Sequence, residues 1–143
     1  MGRIAFEFIV SDAEQIKQTI GIHIENTGLP YFRCFGMDLN SLISLYTKLK
    51  GERNHQNALK SFQVFKKSAD RKETIIKTPR DYCAVLSTLN TEPESTIAEW
   101  IEKEGFSLSH WHQEYKQTFA VSLAVLASQA LESNRSIFIK VVS

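Results

Sequence analysis

The sequence predicts a single α+β domain spanning residues 1–143: a small, mostly antiparallel sheet that includes the N- and C-terminal strands, packed with about five helices. Three observations predict it. Both ends of the chain alternate in hydropathy with a period of two, "RIAFEFIV" at 3–10 and "SIFIKVVS" at 136–143. The stretches between them carry apolar residues at helical spacing, punctuated by capping residues. Finally, 143 residues of which 43% are hydrophobic suffice for one real core, and no linker, repeat or low-complexity tract divides the chain.

The elements follow in order. In the first strand Ile4, Phe6, Phe8 and Val10 share one face, while Ala5, Glu7 and Ile9 share the other, which reads as half exposed. Ser11, with Glu14 three residues on, has the form of a capping box, and Ile16 and Ile20 give the following short helix its apolar side. Residues 21–36 read as a hairpin-like pair: Ile22 and Ile24 alternate, Asn26-Thr27-Gly28 and Pro30 turn the chain, and Tyr31, Arg33 and Phe35 alternate again. "DLNSLISLYTKLKG" is a helix capped by Asp38 and stopped by Gly51. Residues 53–70 fit a helix through Leu59, Phe62 and Phe65, or a strand through Phe62-Gln63-Val64.

A short strand at 74–77 precedes a helix expected to start at Thr78 as cap with Pro79 in first position. Pro93 and Gly105 bracket another helix, with Ile97, Trp100 and Ile101 inward. Residues 109–132 predict the longest helix.

The stretch "SLSHWHQEYKQTF" at 107–119 is where a chemist would stop. On a strand, His110 and His112 would point the same way and could chelate a metal; on a helix they diverge by ~200°. Trp111, Tyr115 and Phe119 recur at helical spacing, and Ser107 or Ser109 suits an N-cap, so the stretch reads as a helix entrance. His110 with Glu114 at i,i+4 remains as the residual metal pair, without the specificity of H-E-x-x-H. No metal and no cofactor are expected.

Other chemistry finds little support. Cys34 lies in the strand-like "YFRCFG", where its neighbour Arg33 would point to the opposite face, and Cys83 reads as a small core residue. The six glycines are scattered and form no phosphate cradle. No apolar run reaches the ~18–20 residues that cross a bilayer, so no membrane partner is expected. The opening "MGRIAFEFIV" lacks the form of a signal peptide, and two cysteines 49 positions apart suit reduced thiols, which together predict a cytoplasmic protein.

The net charge of +1 hides three blocks. Residues 1–47 are net −2, residues 48–80 carry ten basic and three acidic side chains, and residues 81–143 are net −4. Within the basic block Lys60, Lys66, Lys67, Arg71 and Lys72 could neutralise phosphates while Phe62 and Phe65 stack on bases. In the acidic block Glu92, Glu94, Glu99, Glu102 and Glu104 would present a negative helix face to a basic protein.

A small domain without a catalytic constellation, charged in blocks, fits a non-enzymatic, stoichiometric protein-binding module. The expectation is an inhibitor of the bacterial immunity or antitoxin type, whose acidic surface covers the active site of a basic, nuclease-like toxin. This is an analogy of type and rests on no motif. The alternative is a nucleic-acid-binding or regulatory module using residues 48–80. A third reading is a hydrolase or transferase using His110, His112 and a carboxylate.

Overall fold

The chain's fold is given by a computed structural model that describes residues 4–51, 54–90 and 113–143. The two terminal hydrophobic alternations form neighbouring central strands. β1 (Ala5–Ser11) pairs antiparallel with β5 (Ser136–Val142), from Ala5↔Val142 to Ser11↔Ser136. β2 (Tyr31–Phe35) lies on the other side of β1, from Ala5↔Phe35 to Ile9↔Tyr31. β4 (Glu73–Lys77) pairs with β5, and β3 (Gln63–Lys67) pairs with β4 through a bulge at Phe65. The order is β2-β1-β5-β4-β3, and among the described residues every pairing is antiparallel, in line with the mostly antiparallel sheet expected.

Five helices accompany the sheet among the described residues: α1 (Ala13–Lys17), α2 (Leu39–Lys50), α3 (His55–Ser61), α4 (Tyr82–Ser87) and α5 (Gln113–Glu132). On one sheet face Phe6, Phe8, Val10, Ile76, Ile137 and Ile139 pack against Leu42 and Tyr46 of α2, Tyr82 and Leu86 of α4, and Phe119 and Leu123 of α5. α5 approaches closely because Ala120, Ala124, Ala127 and Ala130, at helical spacing, are buried and small. The second face has a smaller apolar cluster, in which Ile16 of α1 and Ile24 of a 3₁₀ turn (Ile24–Asn26) cover Ile9, Ile75 and Phe138.

Several local expectations are corrected. Ser11 does not cap α1, because the β1–β5 ladder holds it in the strand opposite Ser136. Asp12 is the cap, and its carboxylate accepts from the amides of Glu14 and Gln15 at 3.0 and 2.8 Å. The hairpin over 21–36 does not form. Ile24 turns inward as a plug in the second cluster, and β2 pairs with β1 instead, where five cross-strand pairs are available.

Residues 53–70 hold both alternatives in succession, α3 and then β3. They separate at Phe62, which leaves the helix with extended backbone and buries its ring against Tyr46 and Tyr82. Thr78 is not a helix cap: its hydroxyl donates to the Ile137 carbonyl at 2.6 Å, and α4 begins at Tyr82. The predicted Asp38 cap and Gly51 stop of α2 are both present, with Asp38 accepting from the Ser41 amide at 2.7 Å and Gly51 at φ 77°. The face of β1 read as half exposed is fully buried.

Candidate functional site

Glu7 sits on that buried face, 4% exposed, and a carboxylate there needs partners. The register supplies them, because Glu7 lies opposite Arg33 on β2 and Lys140 on β5. Arg33 donates from Nε to Glu7 at 2.8 Å and reaches Glu25, in the 3₁₀ turn, at 2.9 Å. Lys140, 1% exposed, meets Glu73 of β4 at 2.7 Å and donates to the carbonyls of Thr19 and Ile22 at 2.7 and 3.1 Å. The second carboxylate oxygen of Glu73 accepts from the Gly21 amide at 2.9 Å.

The result is a cleft of about 550 Å³ over the uncovered end of the second sheet face. Its floor is Ala5, Val142 and Phe35, residues 21–25 form one wall, and the β3–β4 turn with Asp70 and Lys72 forms the other. Glu25 is held below the usual carboxylate range by a hydrogen bond from its own backbone and by the Arg33 guanidinium. Burial works against the charge of Arg33, but its hydrogen bonds to Glu7 and Glu25 outweigh that and raise its pKa. Asp70 closes the turn by accepting from the Ser68 hydroxyl at 2.6 Å and the Lys72 amide at 3.0 Å.

Chemically this is a constellation of satisfied charges. Glu7, Glu25, Asp70 and Glu73 each have a partner, so the cleft presents fixed, paired charge. The sequence reading missed all of these residues except Lys72. The signal it could have used is one acidic and one basic residue at the same phase in two terminal strands expected to be adjacent, Glu7 and Lys140.

Most of the predicted site residues fall outside the described part of the chain. Glu92, Glu94, Glu99, Glu102, Glu104, His110 and His112 lie outside the described residues, and Glu114 falls in the first turn of α5. Among the described residues no group of three or more His, Cys, Asp and Glu could hold a metal ion. Lys60, Lys66, Lys67, Arg71 and Lys72 are all exposed, but they are spread over α3, both faces of β3 and the following turn. The aromatic half of that expectation is corrected. Phe62 is a core residue, and Phe65 packs on Phe138 at 5.5 Å beneath Lys17. Both cysteines are buried, and burial pushes the Cys34 thiol up to about 12 and that of Cys83 above its usual value.

A second feature lies on the opposite side of β2. Pro30, Tyr31 and Phe32 face Val121, Val125 and Leu126 of α5 across a groove of about 370 Å³. Val121 and Val125 are exposed there.

No protein-family model matches the chain, and no curated protein matches it in sequence. Among solved structures it is similar to the crystal structure of YfbM from Escherichia coli, described as a protein of unknown function. The TM-score is 0.38 at 16% identity, with 97% of this chain and 99% of that chain covered, and nothing about function follows from it.

Proposed function

We propose that the chain is a stoichiometric protein-binding module of the immunity or antitoxin type, which occludes the basic active site of a nuclease-like partner. One observation carries the reading. Five glutamates and a single lysine fall within residues 92–104, while the basic side chains concentrate at 48–80. Such segregated charge speeds encounter with an oppositely charged partner and rejects others. The state of the chemistry-bearing side chains fits binding better than turnover: the cleft carboxylates are paired and both thiols are buried.

The test is a titration. The partner recovered on the immobilised chain is purified and titrated against wild type and against the Glu94→Lys, Glu99→Lys, Glu102→Lys variant. The expected loss of affinity is about 100-fold or more. Equal affinity for both proteins rejects this interface.

A further inference from the structure

β2 ends the described sheet, and its register with β1 determines which of its backbone groups are engaged. Val10 N–H donates to Pro30 O at 2.9 Å, which makes these two a directly bonded pair. Bonded and non-bonded pairs alternate along an antiparallel ladder. Phe8↔Phe32 and Phe6↔Cys34 are therefore bonded pairs too, while Tyr31, Arg33 and Phe35 turn their N–H and C=O groups away from β1. Tyr115 of α5 receives the Phe35 amide on its hydroxyl and so closes that end of the edge. Among the described residues nothing pairs with Tyr31 and Arg33 on this side, which leaves a stretch with two outward donors and two outward acceptors.

The two sides of this stretch differ in chemistry. Toward α5 lies the groove whose walls include Val121 and Val125, 52% and 47% exposed. On the other side is the Glu7–Arg33–Glu25 group, which has two carboxylates to one guanidinium and its most exposed member in Glu25. An added strand alternates its side chains between these two sides.

We infer that the Tyr31–Arg33 edge is a strand-addition site for an extended segment of a partner protein whose side chains alternate apolar and basic. The apolar side chains enter the Val121–Val125 groove, the basic ones face Glu25, and the backbone pairs with Tyr31 and Arg33. This deepens the proposed function and rests on its premise of a basic protein partner. A second copy of the chain suits the edge less well, because pairing β2 with itself brings two net-negative Glu7–Arg33–Glu25 groups together.

The test uses the whole chain and an acetylated Lys-Val-Lys-Val-Lys-Val-Lys peptide amide as probe, read by residue-resolved amide hydrogen exchange. The peptide is expected to slow exchange at Tyr31 and Arg33 by about tenfold or more. Phe32 and Cys34, already bonded to β1, are expected to change little. The Glu-Val counterpart should give no protection, and Val125→Glu, an exposed change that leaves the core intact, should remove the effect of the lysine peptide. Unchanged exchange at Tyr31 and Arg33, or equal protection by the acidic peptide, overturns the site. Protection that appears without peptide and grows with protein concentration overturns it in favour of a second copy. The Glu94→Lys, Glu99→Lys, Glu102→Lys variant should keep the peptide effect, so failure of the acidic-segment reading and failure of the edge site are read separately.

Discussion

Lys140 Nζ lies 2.7 Å from Glu73 Oε1, and between them these two side chains hold three backbone groups of residues 19–22. The ammonium takes the carbonyls of Thr19 and Ile22, and the carboxylate takes the Gly21 amide. The pair therefore latches the segment after α1 onto β4 and β5.

Lys140→Met should uncouple that latch. It strands a largely buried carboxylate and two carbonyls, a loss that typically costs about 3–5 kcal/mol. Urea unfolding should show that loss, and exchange at Gly21 and Ile22 should quicken before the sheet opens. Adding Glu73→Leu should recover part of the stability, because the uncompensated charge is gone. A cost under about 1 kcal/mol for the single change would refute the latch.

Alkaline pH should destabilise the fold. Burial is the leading cause that raises Cys34 to about 12 and also raises Cys83, Tyr46, Tyr82 and Tyr115. Each group is neutral when protonated and holds its proton more tightly folded than unfolded. Their contribution is complete below the ordinary thiol value of 9.0 and is lost as pH climbs toward the folded values. Each proton released on unfolding adds about 1.4 kcal/mol per pH unit to the slope. Cys34→Val should flatten the fall measured by urea titrations between about pH 8 and about pH 10.5. Thiol reagents should reach Cys34 only on unfolding.

The sheet was legible in the sequence because hydropathy alternation records which strands are flanked by packed faces, and the two terminal strands carried it most clearly. The hairpin over 21–36 was misread for a physical reason: alternation in Ile22 and Ile24 cannot distinguish a strand from a plug with one buried isoleucine. The face of Ala5, Glu7 and Ile9 reads as half exposed in the sequence because a lone charge in a strand suggests solvent unless its cross-strand partner is known. The cleft depends on register, which places Arg33 and Lys140 on either side of Glu7, and register is a property of the pairing rather than of any one segment. Phe62 was ambiguous because a residue that ends a helix and enters a core satisfies both periodicities locally.

Tyr46 should hold Asp81 ionised to lower pH. The phenol donates to the carboxylate at 2.6 Å and Lys50 lies 3.1 Å from it. Burial pushes Asp81 upward, but the hydrogen bonds from Tyr46 and Lys50 outweigh it and leave its pKa below 3.8. The resulting stability is present above that ordinary value and is lost as pH falls through the lower folded value. Tyr46→Phe should raise the Asp81 pKa in a carboxyl-resolved NMR titration and cost about 1 kcal/mol near neutral pH. An unchanged titration would separate the two groups functionally.

Phe62 and the exposed cations of the basic segment should respond oppositely to mutation. Phe62 stacks edge-on against Tyr46 and Tyr82 at 5.5 and 5.4 Å inside the core, so Phe62→Ala should cost about 3–5 kcal/mol in urea unfolding. Replacing Lys60, Lys66, Lys67, Arg71 and Lys72 together by Gln removes exposed charge from several separate surfaces, and each change should stay within about 0.5 kcal/mol. The same variant decides the nucleic-acid alternative. With Phe62 in the core and Phe65 packed on Phe138, contacts from the lysines and arginine to phosphate alone give weak binding that salt abolishes. Anisotropy of labelled single-stranded RNA should therefore show no binding at about 0.15 M salt for wild type or variant. Tight wild-type binding at that salt, lost in the five-fold variant, would favour the nucleic-acid alternative over the proposed inhibitor.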